Sequence, residues 1–182
     1  MRTLLIGGAR SGKSSLAQRW SGERSADVCA LVTGTESDPE MAERIAAHRR
    51  ERPSHWRVRE EPIHLGRALR DEKSGLLLVD CLTLWISNCL WATGAEADLA
   101  RWRHEREDFL AALQAATRAV IIVTNEVGTG IVPGNAASRI FRDEQGWLNQ
   151  AVAAVCDEVF FVTAGLPLCL KPGPVRTTTP AR

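Results

Sequence analysis

Residues 3–14 read Thr3-Leu4-Leu5-Ile6-Gly7-Gly8-Ala9-Arg10-Ser11-Gly12-Lys13-Ser14, an apolar run that empties into a glycine-rich turn carrying a lysine and a serine. The spacing of Gly7, Gly12, Lys13 and Ser14 is that of a loop that cradles phosphate between a strand and a helix. Each residue type has a physical reason. Glycines let successive backbone N–H groups turn inward on an anion, and the helix that follows adds the positive end of its dipole. Lys13 neutralises the outer phosphates and Ser14 can ligate Mg2+. Gly7, Gly8, Ala9, Arg10, Ser11, Gly12, Lys13 and Ser14 are therefore candidate nucleotide-binding residues, which implies ATP or GTP with Mg2+.

Outward from this loop, short β-rich runs alternate with helical segments. The strands fall at Thr3–Gly7, Val28–Thr33, Leu76–Asp80, Val120–Thr124 and Val159–Val162; the helices fall at Ser14–Ser21, Asp38–Arg52, Leu82–Trp91, Asp98–Arg118 and Ala136–Val155. Strands apolar at nearly every position are buried on both faces. The expectation is an α/β fold: a mostly parallel central sheet with helices on both faces, a P-loop NTPase of the RecA-like type. A chain of 182 residues suits one domain. Residues 1–171 read as a single nucleotide-binding catalytic domain and 172–182, without apolar periodicity, as a flexible tail.

Composition narrows the function. Lys and Arg number 23 against 22 Asp and Glu, a net charge of +1, which argues against a broad nucleic-acid-binding surface. The five cysteines (Cys29, Cys81, Cys89, Cys156 and Cys169) form no CxxC pair, so zinc ribbons and thioredoxin-like chemistry are unsupported and the thiols read as small core residues of a cytoplasmic protein. The run at Met1–Ile6 is too short for a secretory segment, and no run reaches the length of a membrane span. Asn125-Glu126-Val127-Gly128 does not match the Asn-Lys-x-Asp guanine reader of small GTPases, and Asp143-Glu144-Gln145-Gly146 lies within a predicted helix.

Three further groups carry chemistry. Asp80 ends a buried strand, where it would hold Mg2+ or its water, or would cap the following helix. The helix opening at Ser37-Asp38-Pro39-Glu40 puts Arg44, His48 and Arg52 at i, i+4 and i+8. Flanking positive charge disfavours imidazolium, leaving His48 able to attack phosphorus while the arginines hold phosphate oxygens, against the plainer reading of a solvated face. His55, His64 and His104 lack such a setting. Finally, a Gly- and Pro-rich loop at 124–133 leads to a helix whose Arg139, Arg142, Asp143, Gly146, Asn149 and Gln150 form a polar stripe, either a solvated face or the lining of a site or interface.

These residues resemble the bifunctional adenosylcobinamide kinase/adenosylcobinamide-phosphate guanylyltransferase family of cobalamin biosynthesis. The resemblance is carried by GGARSGKS at 7–14, EMAERIAAHRRERPSHWR at 40–57, LLLVDCLTLWISN at 76–88, TNEVGTGIVPGN at 124–135, FRDEQGWLNQ at 141–150 and AGLPLCLK at 164–171. It implies phosphorylation of adenosylcobinamide by ATP or GTP, then GMP transfer from GTP to adenosylcobinamide phosphate through a guanylyl-histidine that matches His48. It further implies guanine-nucleotide contacts at Thr33, Gly34, Thr35, Arg49, Arg50, Glu51, Arg52 and Glu60, metal binding at Ser14 and Asp80, and assembly as a homo-oligomer, with a trimer as one form. A P-loop small-molecule kinase without guanylyl transfer and a nucleotide-dependent binding protein are the rival readings.

Overall fold

Hydrogen bonding between parallel strands sets the architecture. The computed structural model describes residues 1–35, 43, 45, 46 and 49–173. The chain runs β1 (Arg2–Gly7), α1 (Lys13–Arg24), β2 (Val28–Val32), β3 (Arg57–Glu60), α2 (Leu65–Asp71), β4 (Leu76–Asp80), α3 (Leu82–Leu90), α4 (Leu99–Ala115), β5 (Ala119–Asn125), α5 (Ala136–Val155), β6 (Glu158–Thr163) and β7 (Leu166–Lys171). One seven-stranded sheet has the order β3-β2-β4-β5-β1-β6-β7, parallel except for the antiparallel β6–β7 hairpin. β5 thus separates β1, which feeds the phosphate loop, from β4, which ends in Asp80. All the expected strands are present, and the expected helix Asp38–Arg52 is helical at residues 43, 45, 46 and 49–51. Its opening at residues 37–40, together with Arg44 and His48, lies outside the described residues, as does 174–182 of the expected tail.

Burial on both faces explains the uninterrupted apolar strands. On one face, Leu4, Leu77, Val79, Val120 and Ile122 pack beneath α2, α3, α4 and α5. On the other, Leu5, Leu76, Leu78, Ile121 and Val123 pack against Leu16 and Ala17 of α1 and against Trp56. The tryptophans scattered in sequence converge here: Trp85 meets Trp102 and Phe109 at centroid separations of 5.1 and 5.0 Å. Each buried indole N–H in this cluster has an acceptor, Ile63 O for Trp85 at 2.6 Å and Glu144 Oε2 for Trp102 at 2.7 Å.

Cysteine placement follows the sheet. Cys29, Cys89 and Cys156 are buried, and burial pushes the Cys89 and Cys156 thiols up to about 12, which keeps them protonated and unreactive. Cys169 departs from the expected core position: it is exposed because β7 is an edge strand without a covering helix.

Two contacts give direct tests. A Cβ added at Gly66 of α2 would fall 2.2 Å from Asp108 Oδ2 and 2.8 Å from the Asp108 carbonyl oxygen on α4. Gly66→Ala is therefore expected to cost about 1–3 kcal/mol by urea denaturation, the usual cost of overpacking. At the start of β1, Arg2 donates from its backbone N–H and guanidinium to Asp157, which holds that carboxyl below its ordinary range. Because the folded value lies below the unfolded one of about 3.9, the stabilisation is complete above that pH and fades as pH falls through the depressed value. Asp157→Asn should flatten this acid limb in a melting-temperature series from pH 6 to pH 2.

Candidate functional site

The phosphate loop is shaped by backbone conformations that side chains resist. Gly12, the residue before α1, is left-handed at φ 91°, and Arg10 also has a positive φ, 56°. No side chain caps the start of α1, so the first helical N–H groups remain available to an anion. Gly7 is closely confined: an added Cβ would lie 2.3 Å from the Val162 carbonyl oxygen of β6. The β6–β7 turn closes over the loop, with the Gly165 N–H donating to Ser11 O at 2.9 Å. Lys13 is only 7% exposed and donates from Nζ to Gly8 O at 3.0 Å, while the buried Ser11 Oγ has no hydrogen-bond partner. A buried hydroxyl left without a partner in this loop suits a phosphate oxygen. Ala9 and Arg10 are exposed on the rim, and Ser14 is half-buried.

Asp80 stands at the carboxyl end of β4. It does not cap α3, whose capping position is Cys81, and it instead pairs with Arg52 through a 2.7 Å contact between Oδ2 and Nη2. Both side chains are largely buried, so this pair is electrostatically stronger than a surface one. Thr33, for which the resemblance implies a nucleotide contact, is fully buried, with its hydroxyl hydrogen-bonded to Cys81. It donates to Cys81 O at 2.6 Å and accepts from the Cys81 N–H at 3.0 Å, and the Thr33 N–H donates to Asp80 O. Thr33 therefore holds the turn that presents Asp80. Gly34 packs beneath Ile45 and Leu84, each 3.3 Å from where its Cβ would be, and Thr35 is exposed.

The basic segment borders the same edge. Arg49 pairs with Glu60 of β3, and Arg49, Arg52, Pro53, Trp56 and Glu60 line an open cavity of about 440 Å3. Arg50 and Glu51 are exposed, and Glu51 lines a neighbouring cavity with Ser15, Gln18, Arg19 and Trp56. The structure thus brings together residues 7–14, Arg52 and Asp80, and sets Arg49 and Glu60 beside Arg52. His48, the candidate nucleophile, lies outside the described residues.

One part of the site was only partly legible in the sequence. The expected polar stripe of α5 divides: Arg139 donates to Pro133 O and Gly134 O, Arg142 pairs with Asp143, and Gln150 is exposed, but Asn149 is buried. Asn149 accepts from Thr124 Oγ1 at 2.8 Å and from Gln145 at 3.0 Å, and donates to Asn125 O. This network pins the end of β5 beside the phosphate loop. The i, i+4 spacing of Gln145 and Asn149 was its only trace in the sequence. Apart from this network, His64, which lacks a catalytic setting in the sequence, has its Nδ1 2.9 Å from the buried Glu105 carboxylate.

Comparison with known proteins agrees with this geometry. Residues 3–170 match the family described as cobinamide kinase / cobinamide phosphate guanyltransferase. The chain is 47% identical over 177 residues to the bifunctional adenosylcobalamin biosynthesis protein CobP of Pseudomonas aeruginosa, covering 96% of this chain and all of that protein. It is 38% identical to the bifunctional adenosylcobalamin biosynthesis protein CobU of Salmonella typhimurium, covering 94% of this chain and all of the relative. In fold, it is similar to a prototypical ATPase from the type III secretion system of pathogenic bacteria, with TM-score 0.50 and 13% identity over 92% of this chain and 56% of that one. A protein from Pyrococcus horikoshii, covered over 86% of its length and 94% of this chain, gives TM-score 0.51 at 11% identity. By its family match and its near full-length relatives, this chain belongs to the cobinamide kinase/cobinamide phosphate guanylyltransferase family, the bifunctional enzymes of cobalamin biosynthesis.

Proposed function

We propose that this chain phosphorylates the aminopropanol hydroxyl of adenosylcobinamide with ATP or GTP, then transfers GMP from GTP to the product through a guanylyl-His48 intermediate. The observation that carries the reading is the phosphate loop facing Asp80 across β5, with Arg52 of the basic segment 49–52 pairing with Asp80. In the first reaction the acceptor oxygen attacks the γ-phosphorus while loop N–H groups and Lys13 hold the phosphate oxygens. In the second, an imidazole nitrogen of His48 attacks the α-phosphorus and pyrophosphate leaves. The cobinamide phosphate oxygen then breaks the P–N bond and regenerates the histidine. Arg49, Arg52 and Glu60 would bind the guanine nucleotide around the cavity they line, with Thr33, Gly34, Thr35, Arg50 and Glu51 as the further contacts that the family resemblance implies.

The residues present fit Mg2+. Ser14 and Asp80 offer hard oxygen donors, which suit Mg2+ together with nucleotide phosphates and water. Bound there, Mg2+ would supply charge neutralisation on the transferred phosphoryl group. Arg52 would then exchange its carboxylate partner for phosphate oxygens, a geometry that guanidinium suits well.

We further place both reactions in one catalytic domain spanning residues 1–171. The single sheet continuing through Lys171 supports this. Exposed Leu166, Leu168 and Leu170 on β7 favour assembly as a homo-oligomer, a trimer included. The free thiols suit the cytoplasm. No helix among the described residues is long and apolar enough to cross a membrane.

The deciding experiment incubates the protein and Mg2+ with GTP labelled at either the α or the γ phosphate. The α label is expected to stay on the protein as a phosphoramidate, stable to base and labile to acid, and to be absent from His48→Ala. No covalent α label would remove the histidine route and leave a kinase alone. Lys13→Ala is expected to lower kinase kcat/KM by about a hundredfold or more, the scale of losing one preorganised electrostatic contact to the transferred group.

A further inference from the structure

β5 lies between the two strands that carry the phosphate chemistry, and Glu126 is the first residue past its end. Asn125 is the register partner of Gly7, and the Glu126 N–H donates to the Gly7 carbonyl at 3.1 Å. The ladder therefore runs one residue beyond the strand and sets the Glu126 backbone beside the first turn of the phosphate loop. On the opposite side of β5, Asp80 is in register with Val123. Parallel strands turn all three carboxyl ends to one edge of the sheet, the edge from which an acceptor reaches a nucleotide held by the loop.

The half-buried side chain is itself oriented. Glu126 Oε1 accepts from the Gly128 N–H, while Oε2 has no hydrogen-bond or ion-pair partner among the described residues. The other carboxylates on this edge are occupied: Asp80 by Arg52, Glu60 by Arg49, and Glu61 by the N–H groups of Ile63 and His64. Past Glu126 the loop is open. Nothing lies within 4 Å of a Cβ built at Gly130 or Gly134, which leaves room for a bulky acceptor.

We propose that Glu126 is the general base of the kinase step. Its Oε2 takes the proton of the acceptor hydroxyl as that oxygen bonds to the γ-phosphorus. The bond from the γ-phosphorus to the bridging oxygen breaks, and the nucleoside diphosphate leaves with the electron pair. The carboxylic acid then returns its proton to water. A carboxylate accepting the substrate hydroxyl proton is a recurring part of phosphoryl transfer, and such bases contribute about 10²–10⁴-fold. The assignment rests on residues 7–14 being the phosphate site.

The test is steady-state kinase kinetics of the full chain with cobinamide and MgATP, for Glu126→Gln, Glu126→Asp and Glu126→Ala, the last with and without added formate. Glutamine keeps an acceptor for Gly128, so the loop stays in place. Glu126→Gln should lose about 10²–10⁴-fold in kcat with KM values changed by less than about threefold. Glu126→Asp should keep more activity than Glu126→Gln, and formate should restore part of the rate of Glu126→Ala, as a purely structural role would not allow. A kcat for Glu126→Gln within about threefold of wild type, a loss confined to KM, or no response of Glu126→Ala to formate overturns the proposal. Direct nucleotide binding by Lys13→Ala separates the two readings. Wild-type affinity there would remove the phosphate site itself, whereas weakened binding with normal Glu126→Gln kinetics would remove only the base.

Discussion

The phosphate loop has to lie bare against its neighbours, and much of the site's shape follows from that requirement. Gly7 leaves no space for a Cβ against Val162, Gly12 turns left-handed, and Gly165 approaches closely enough to donate to Ser11. An anion held by backbone N–H groups needs a loop that does not relax when the anion leaves, because reorganising those dipoles at each turnover would forfeit much of their catalytic value. The structure achieves this from three sides: β5 through the Glu126–Gly7 bond, β6 through Val162, and the terminal hairpin through Gly165. Behind β5, the Thr124–Gln145–Asn149 network replaces what would be an apolar contact with directional bonds, and so sets the position of the strand end as well as burying it.

What was legible in the sequence tracks burial and locality. The phosphate loop, β4 with Asp80 and the full extent of α5 could be read because each is encoded by a contiguous pattern. β3, Arg57-Val58-Arg59-Glu60, could not: as an edge strand it is charged rather than apolar, a common protection against edge pairing. β7 hid for a related reason, with Pro167 inside it and every residue exposed. The seven residues of α2 are too few for helical periodicity to emerge. The resemblance implies a nucleotide contact at Thr33, and the tertiary structure adds a bond between its hydroxyl and Cys81 that no local pattern announced. Asp80 and Arg52 stand 28 residues apart, and Glu126 and Gly7 further still, so no local pattern could have joined them.

Near-neutral net charge conceals strong local organisation. Arg49 and Arg52 are matched by Glu60 and Asp80, so the charges suited to phosphate and metal chemistry are held against each other within the fold. Arg52 carries the larger desolvation cost: its Nε is buried without a partner while Nη2 serves Asp80. A guanidinium in that condition gains by meeting an anion with more oxygens to offer. Lys13, buried against Gly8, is presented in a similar way.

The hairpin that braces the phosphate loop has a consequence for how the protein is made. Residues 7–14 leave the ribosome well before Val162 and Gly165, which confine them, and Asp157 must arrive before Arg2 is anchored. During synthesis the nascent chain carries a phosphate loop that is fully translated but unsupported. Strands β6 and β7 complete a loop synthesised well before them, so a ribosome that stalls or a message truncated before residue 165 yields a chain with its signature motif intact and its cradle open.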